Sequence, residues 1–157
     1  MTLTAWRITK RKHAKHAFDG AGARKYGGRW NSPGSAAVYA AQSQSLAVLE
    51  MLVHLDGPEL LERYVFIPVE IDESLVQNVE IRTLPRNWQA YPAPKRLSAI
   101  GDEWLRAARS VGLQVPSALL PAESNFLLNP NHSDFPKLAS GDLVSFQFDP
   151  RMTKPSR

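Results

Sequence analysis

The stretch Tyr26-Gly27-Gly28-Arg29-Trp30-Asn31-Ser32-Pro33-Gly34-Ser35-Ala36-Ala37-Val38-Tyr39-Ala40-Ala41 runs from a loop straight into an apolar element. Glycine reaches backbone angles closed to other residues, and proline fixes φ, so residues 26–34 suit neither helix nor strand. They read as a shaped loop that aims the Arg29 guanidinium and the Trp30 ring. Ala36 to Ala41 is small and apolar, consistent with a buried strand. Ser43 or Ser45 can cap the helix that follows. Its apolar positions are Leu46, Leu49, Leu52 and Val53, widened by Val48 and Leu55, and Asp56-Gly57-Pro58 ends it. Glu50, the only acid between Asp19 and Asp56, lies on this helix. An aimed arginine followed by a carboxylate among apolar residues points to a site rather than a scaffold.

Outward from this stretch, Leu3 to Ile8 reads as a short strand carrying Trp6 and Arg7. Lys10 to Gly28 reads as a polar loop with a helical turn. Tyr64 to Ile71 reads as a strand, with Pro68 arguing for an edge or a bulge. Leu75 to Ile81 alternates like another. Pro85 to Pro94 is irregular, and Leu97 to Val111 has helical spacing that stops at Gly112. Val115 to Leu120 reads as a strand bounded by prolines, pairing with Asn125 to Leu128. Leu143 to Phe148 reads as a final strand, and Pro150 to Arg157 as a frayed tail. Without a regular βαβ rhythm, the class expected is α+β: one domain over residues 1–157 with a mixed, mostly antiparallel sheet. A chain of 157 residues favours a single core.

Hydrophobic residues make up 43 %, enough for a globular fold, and there is no cysteine, which excludes disulfides, thiolate catalysis and cysteine metal sites. Met1 to Lys12 lacks the apolar region of a secretory signal, and no run approaches the roughly 20 apolar residues that span a bilayer. A cytoplasmic protein is the expectation. Of the 19 Lys/Arg and 15 Asp/Glu, residues 1–29 hold eight and one, leaving eleven against fourteen elsewhere. The positive field is therefore concentrated near the N-terminus, where it could attract nucleic acid, a phosphorylated small molecule or an acidic protein.

Each candidate residue has two readings. Glu50 is either exposed and paired with His54 one turn on, or functional. Arg29 is a surface turn residue or a phosphate ligand. Arg7 is an edge residue with a snorkelling stem or a second cation for a pyrophosphate. Tyr39 is a core aromatic whose hydroxyl needs a partner, or part of a pocket. Ser117 alternates with Val115 and Leu119, and either fills a tight core or faces a site. Asn125 belongs to a polar group with Asn129, Asn131 and His132 that turn chemistry largely explains. There is no Gly-x-Ser-x-Gly, P-loop or Gly-x-Gly-x-x-Gly motif, and His13 and His16 lack zinc-motif spacing.

Taken in order, several segments resemble the RES-domain family. They are Trp6-Arg7-Ile8, Gly27-Gly28-Arg29-Trp30-Asn31, Val38-Tyr39-Ala40-Ala41, Leu49-Glu50-Met51-Leu52-Val53-His54-Leu55, Val115-Pro116-Ser117-Ala118 and Asn125-Phe126-Leu127-Leu128-Asn129-Pro130. The resemblance implies a fold like that of ADP-ribosyltransferase toxins. It implies Arg29, Glu50 and Ser117 as the name-giving catalytic residues, with Arg7, Tyr39 and Asn125 binding NAD+, which is substrate, and no metal. It further implies a bacterial type II toxin whose partner is an Xre-type helix-turn-helix antitoxin that occludes the active site. DNA is then met only through the antitoxin, and no membrane is involved. The ADP-ribose acceptor is a protein such as phosphoribosyl pyrophosphate synthetase, or phosphate or water. The competing reading from the basic N-terminus is a non-enzymatic nucleic-acid-binding module, which leaves Glu50 and Ser117 unexplained.

Overall fold

In the computed structural model, which describes residues 1–153, one mixed sheet carries the whole fold. Its elements in chain order are β1 (Thr2–Lys10), α1 (Ala21–Tyr26), β2 (Val38–Ala41), α2 (Gln44–Leu52), β3 (Tyr64–Asp72), β4 (Val76–Asn78), α3 (Lys95–Ala107), β5 (Gly112–Pro116), β6 (Ser124–Leu128), β7 (Ala139–Ser140) and β8 (Val144–Phe146). The strand order is β4-β5-β6-β2-β1-β3-β7, and β8 also pairs with β3. Every pairing is antiparallel except β4 with β5. The α+β architecture expected from the sequence is therefore the one observed.

Alternation sorts the sheet into two faces. Ala5, Val38, Ala40, Val69, Ile71, Phe126 and Leu128 share one cluster, which Val76 of β4 also joins. Residues from both ends of the strand order thus meet, so the sheet curls around this face. The other face carries the two longer helices. Leu46, Ala47 and Val48 of α2 pack on Ile8, Ala41 and Phe66. Leu97 and Trp104 of α3 pack with Trp30, Leu113, Val115 and Leu127.

Local chemistry explains the main elements. The Ser43 hydroxyl accepts from Leu46 N at 3.1 Å and starts α2. α2 ends at Leu52, before Asp56-Gly57-Pro58, which opens a separate 3-10 turn at Gly57–Leu61. α3 ends at Ala107 rather than Val111, because Ala108 turns left-handed and Gly112 already begins β5. The strand read as Val115 to Leu120 is instead Gly112–Pro116, and Leu119 is exposed. Pro116 cannot continue the ladder, so the chain turns there. Of Leu75 to Ile81 only Val76–Asn78 pairs, and Ile81–Thr83 is a 3-10 turn.

Pro68 lies in an interior strand, not on an edge. The far side of β3 is divided, with β8 pairing at Tyr64 to Phe66 and β7 at Val69 and Glu70. Pro68 faces the gap, where its carbonyl accepts from Gly141 N at 2.8 Å and no strand asks for its missing N–H. Lys10 to Gly28 holds a 3-10 helix at Arg11–His16 as well as the short α1. Of the tail, Pro150–Thr153 is a 3-10 turn, and residues 154–157 lie outside the described residues.

α3 meets the loop that carries Trp30 at Gly101, where a Cβ would overlap the Trp30 carbonyl oxygen. Gly101→Ala is therefore expected to destabilise the protein by about 3 kcal/mol or more, since neither backbone can yield. Gly22→Ala on the open face of α1 is the control, with a change of at most about 1 kcal/mol in the stabilising direction. Urea midpoints of the two variants check both.

Candidate functional site

Glu50 follows Leu46 by four residues and Ala47 by three, so at about 100° per residue it projects between them, on the buried side of α2. Leu49 and Val53, expected in the apolar stripe, are instead 40 % and 57 % exposed. Glu50 does not reach for the exposed His54. Its Oε1 accepts from Ser117 Oγ at 2.7 Å and from Asn125 Nδ2 at 2.8 Å.

The sheet places those two donors. Trp6, Ala41, Asn125 and Val115 form one row across β1, β2, β6 and β5. Asn125 therefore rises beneath α2, next to Ala41. Ser117 follows Pro116, and its N–H donates to Glu123 O at 2.9 Å, closing the turn between β5 and β6. The Ser117 hydroxyl also accepts from Leu119 N at 3.2 Å and Leu120 N at 3.1 Å. With two donors fixed on its oxygen, its own proton is directed at Glu50. Ser117 is 0 % exposed, so in this arrangement it orients the carboxylate and does not itself meet solvent. Charge-assisted bonds of this kind contribute roughly 1.5–3 kcal/mol each and offset the cost of half-burying the charge. Among the described residues Oε2 of Glu50 takes no hydrogen bond, so that oxygen is open for chemistry.

Arg29 sits at the corner of a tight turn in which Gly28 N donates to Asn31 O at 2.9 Å. Trp30 at the next corner is buried. The Arg29 guanidinium donates through one nitrogen to the carbonyls of Trp88 and Ala90, both at 3.0 Å. Gln89 of the same segment donates to Ala118 O at 3.1 Å, beside Ser117. The irregular segment Pro85 to Pro94 thus bridges Arg29 and the Ser117 turn.

Tyr39 is fully engaged within the protein. Its hydroxyl donates to Asn31 Oδ1 at 2.6 Å and accepts from Trp30 N at 3.2 Å. The Asn31 amide in turn has the carbonyls of Ala23, Ser32 and Ser35 within 3.2 Å. Gly28 is required here, because a Cβ would lie 2.6 Å from the Tyr39 hydroxyl. Asp102 of α3 completes the anchorage by accepting from Ser32 N at 2.9 Å. The sequence reading did not single out Asn31, Gln89 or Asp102. Only Asn31 carried a signal, as the one amide inside a Gly- and Pro-bounded loop.

Arg7 is not joined to this cluster by any hydrogen bond to Glu50, Ser117 or Asn125. Trp6 and Ile8 pack toward α2, and Arg7 alternates to the other face. It donates to Ala17 O at 3.1 Å and to the backbone carbonyl of Tyr39 at 3.3 Å. Burial lowers its pKa from the ordinary arginine value, and the Asp19 charge partly opposes this. Among the described residues no group of three or more His, Cys, Asp or Glu could hold a metal ion, and no helix is long and apolar enough to cross a membrane.

Residues 4–149 match the family model described as RES domain. The chain belongs to the RES domain family. It is 44 % identical over 151 residues to a Yersinia enterocolitica protein named Toxin Res, covering 96 % of this chain and 99 % of the relative. It is 39 % identical over 160 residues to a Sphingobium protein named Prs ADP-ribosylating toxin, covering 98 % and 99 %. Its fold matches a chain of the crystal structure of the M. tuberculosis MbcT-MbcA toxin-antitoxin complex with a TM-score of 0.76, at 18 % identity, over 94 % of this chain and 85 % of that one.

Burial pushes the Tyr39 hydroxyl well above its ordinary pKa, with Asp102 adding to the shift and the Trp30 N–H opposing it. The folded state therefore holds this proton more tightly than the unfolded chain. That contribution is intact below the ordinary tyrosine value near 10 and is lost as pH rises through the folded value. Tyr39→Phe leaves Asn31 Oδ1 and Trp30 N unpaired, so it is expected to cost about 1–3 kcal/mol at neutral pH. The variant should also lose stability less steeply above about pH 10, the remaining slope including that of Tyr64, which burial also raises. Urea denaturation at neutral and alkaline pH measures both effects.

Proposed function

We propose that this RES-family chain is the toxin of a bacterial toxin–antitoxin pair and that it cleaves the nicotinamide–ribose bond of NAD+ in the cytoplasm. The observation that carries this reading is Glu50, held through one carboxylate oxygen by Ser117 and Asn125 and open at the other. Cleavage breaks the bond between ribose C1′ and the pyridinium nitrogen, and the electron pair leaves with neutral nicotinamide. The ribosyl carbon passes through an oxocarbenium-like state, as in glycoside hydrolysis. A fixed carboxylate stabilises that cation, and its free oxygen binds a ribose hydroxyl or takes the proton that the attacking acceptor loses.

In this proposal Ser117 and Asn125 keep Glu50 at one rotamer, so the negative charge is aimed before substrate arrives. Arg29, with its remaining N–H groups, faces the pyrophosphate while holding the Pro85 to Pro94 segment in place. Arg7 supports the Tyr39 backbone from the other face. The acceptor is a protein side chain, phosphate or water. The name of the Sphingobium relative favours the protein, with phosphoribosyl pyrophosphate synthetase as the target class. The antitoxin, of Xre type, covers the site. Leu49 and Val53 on α2, and Leu119 and Leu120 after Ser117, are exposed aliphatic side chains around the carboxylate that such a partner would bury.

Glu50→Gln is expected to lower nicotinamide release at least about 100-fold with the fold retained, the magnitude of losing an aimed transition-state charge. Ser117→Ala is expected to lower it less, because the charge remains and only its aim is relaxed. Both are measured by chromatography of NAD+ incubations with buffer, with phosphate and with cell lysate. Absence of nicotinamide release from the unsubstituted protein under all three conditions would overturn the enzymatic reading.

A further inference from the structure

Arg11, one of the basic residues of the N-terminal region, lies away from Glu50. A cavity of about 280 Å³ is lined by Arg11, Arg63, Tyr64, Ser145, Phe146 and Gln147. β1 and β3 bring its walls together: Lys10 pairs with Tyr64, and Arg11 N donates to Arg63 O at 2.9 Å. The two arginines therefore leave the backbone side by side. Arg11 also donates to Ser145 Oγ at 3.0 Å, which fixes one guanidinium at the cavity wall.

The nearby carboxylates are already taken. Glu59 pairs with Lys10 at 3.2 Å, and Glu62 with Lys10 at 3.5 Å and Lys12 at 3.8 Å. Among the described residues neither Arg11 nor Arg63 has a carboxylate partner, and no acid lines the cavity. Two like charges facing one concavity repel, and an anion placed between them turns that repulsion into attraction. The guanidinium fork matches phosphate oxygens. The Ser145 hydroxyl accepts from Arg11 and keeps its proton for a ligand oxygen, and Gln147 adds an amide.

We propose that Arg11, Arg63, Ser145 and Gln147 form a second anion site, which takes the phosphoryl group of a small phosphorylated molecule. The depression is open to solvent, and its volume of about 280 Å³ is enough to seat a phosphoryl group against the two guanidinium groups. Lys10 and Lys12, next to Arg11 in the chain, are already paired with Glu59 and Glu62, which favours a small anion held between the two arginines over an extended nucleic-acid backbone. The site is separate from Glu50. Asn125 on β6 and Ser145 on β8 have β2, β1 and β3 between them, four strand spacings of about 4.8 Å each. The inference is therefore independent of what Glu50 does.

The test titrates the full chain with adenosine 5′-monophosphate, inorganic pyrophosphate and adenosine, followed by calorimetry and amide chemical shifts. Both phosphate compounds are expected to bind saturably and shift Arg11, Arg63, Ser145 and Gln147, whereas adenosine does not. Arg63→Gln, at an exposed side chain, should weaken binding at least tenfold with an unchanged melting temperature and unchanged NAD+ cleavage. Arg11→Gln should do the same, and Glu50→Gln should leave this binding intact. Shifts confined to Ser117 and Asn125 and lost in Glu50→Gln would overturn the proposal, as would affinity insensitive to Arg63→Gln. Tighter binding of a single-stranded oligonucleotide, with a salt dependence of several released ions, would overturn it in favour of a nucleic-acid surface.

Discussion

The hydrogen bond from Tyr39 to Asn31, at 2.6 Å, is the constraint from which the site is built. It fastens a loop with little regular structure of its own to a strand in the middle of the sheet. Because the loop is held there, Trp30 enters the core and its backbone meets Gly101, which fixes where α3 can lie. Arg29 next to it reaches the carbonyls of Trp88 and Ala90, and that segment reaches Ala118. One half-buried tyrosine, its hydroxyl fully engaged, thus connects the Gly-Gly-Arg-Trp-Asn loop, through packing and hydrogen bonds, to the turn that holds Ser117.

Glu50 obeys a complementary rule. A carboxylate on the inner side of a helix must find donors, and the sheet supplies two, from β6 and from the end of β5. They reach the same oxygen, so the group is held without being consumed. A carboxylate with both oxygens saturated would be a structural ion, and one with neither satisfied would swing out to solvent. The half-satisfied state is the one that keeps a charge in place while leaving it usable.

Much of this was legible in the chain. The Ser43 cap, the core of α3 and the pairing of β5 with β6 follow from capping, period and turn residues. The side of α2 taken by Glu50 was open in the chain, because a pairing with His54 one turn on suited its position equally well; the structure turns it between Leu46 and Ala47 instead. Its partners were not readable from spacing, because they lie 67 and 75 residues away in sequence and no local period encodes such contacts. The family resemblance, not spacing, put Ser117 and Asn125 beside Glu50. The exposure of Leu49 and Val53 was misread because a stripe of apolar residues says that a face will be covered, not which chain covers it. The parallel β4–β5 pairing escaped because three residues carry too little pattern to declare a partner.

Charge shows the same limit most clearly. Eight of the 19 basic residues lie in the first 29 positions, which invites the idea of one positive patch serving one ligand. Folding divides them instead. Arg7 turns to the opposite face of the sheet and binds carbonyls. Lys10 and Lys12 are met by Glu59 and Glu62 from the segment before β3. Arg29 holds the Pro85 to Pro94 segment. Net charge in sequence is a sum, whereas recognition depends on which cations are left without a carboxylate once the chain is folded. Arg11 and Arg63 face one cavity without such a partner, and Arg63 belongs to the part of the chain whose formal charge is negative.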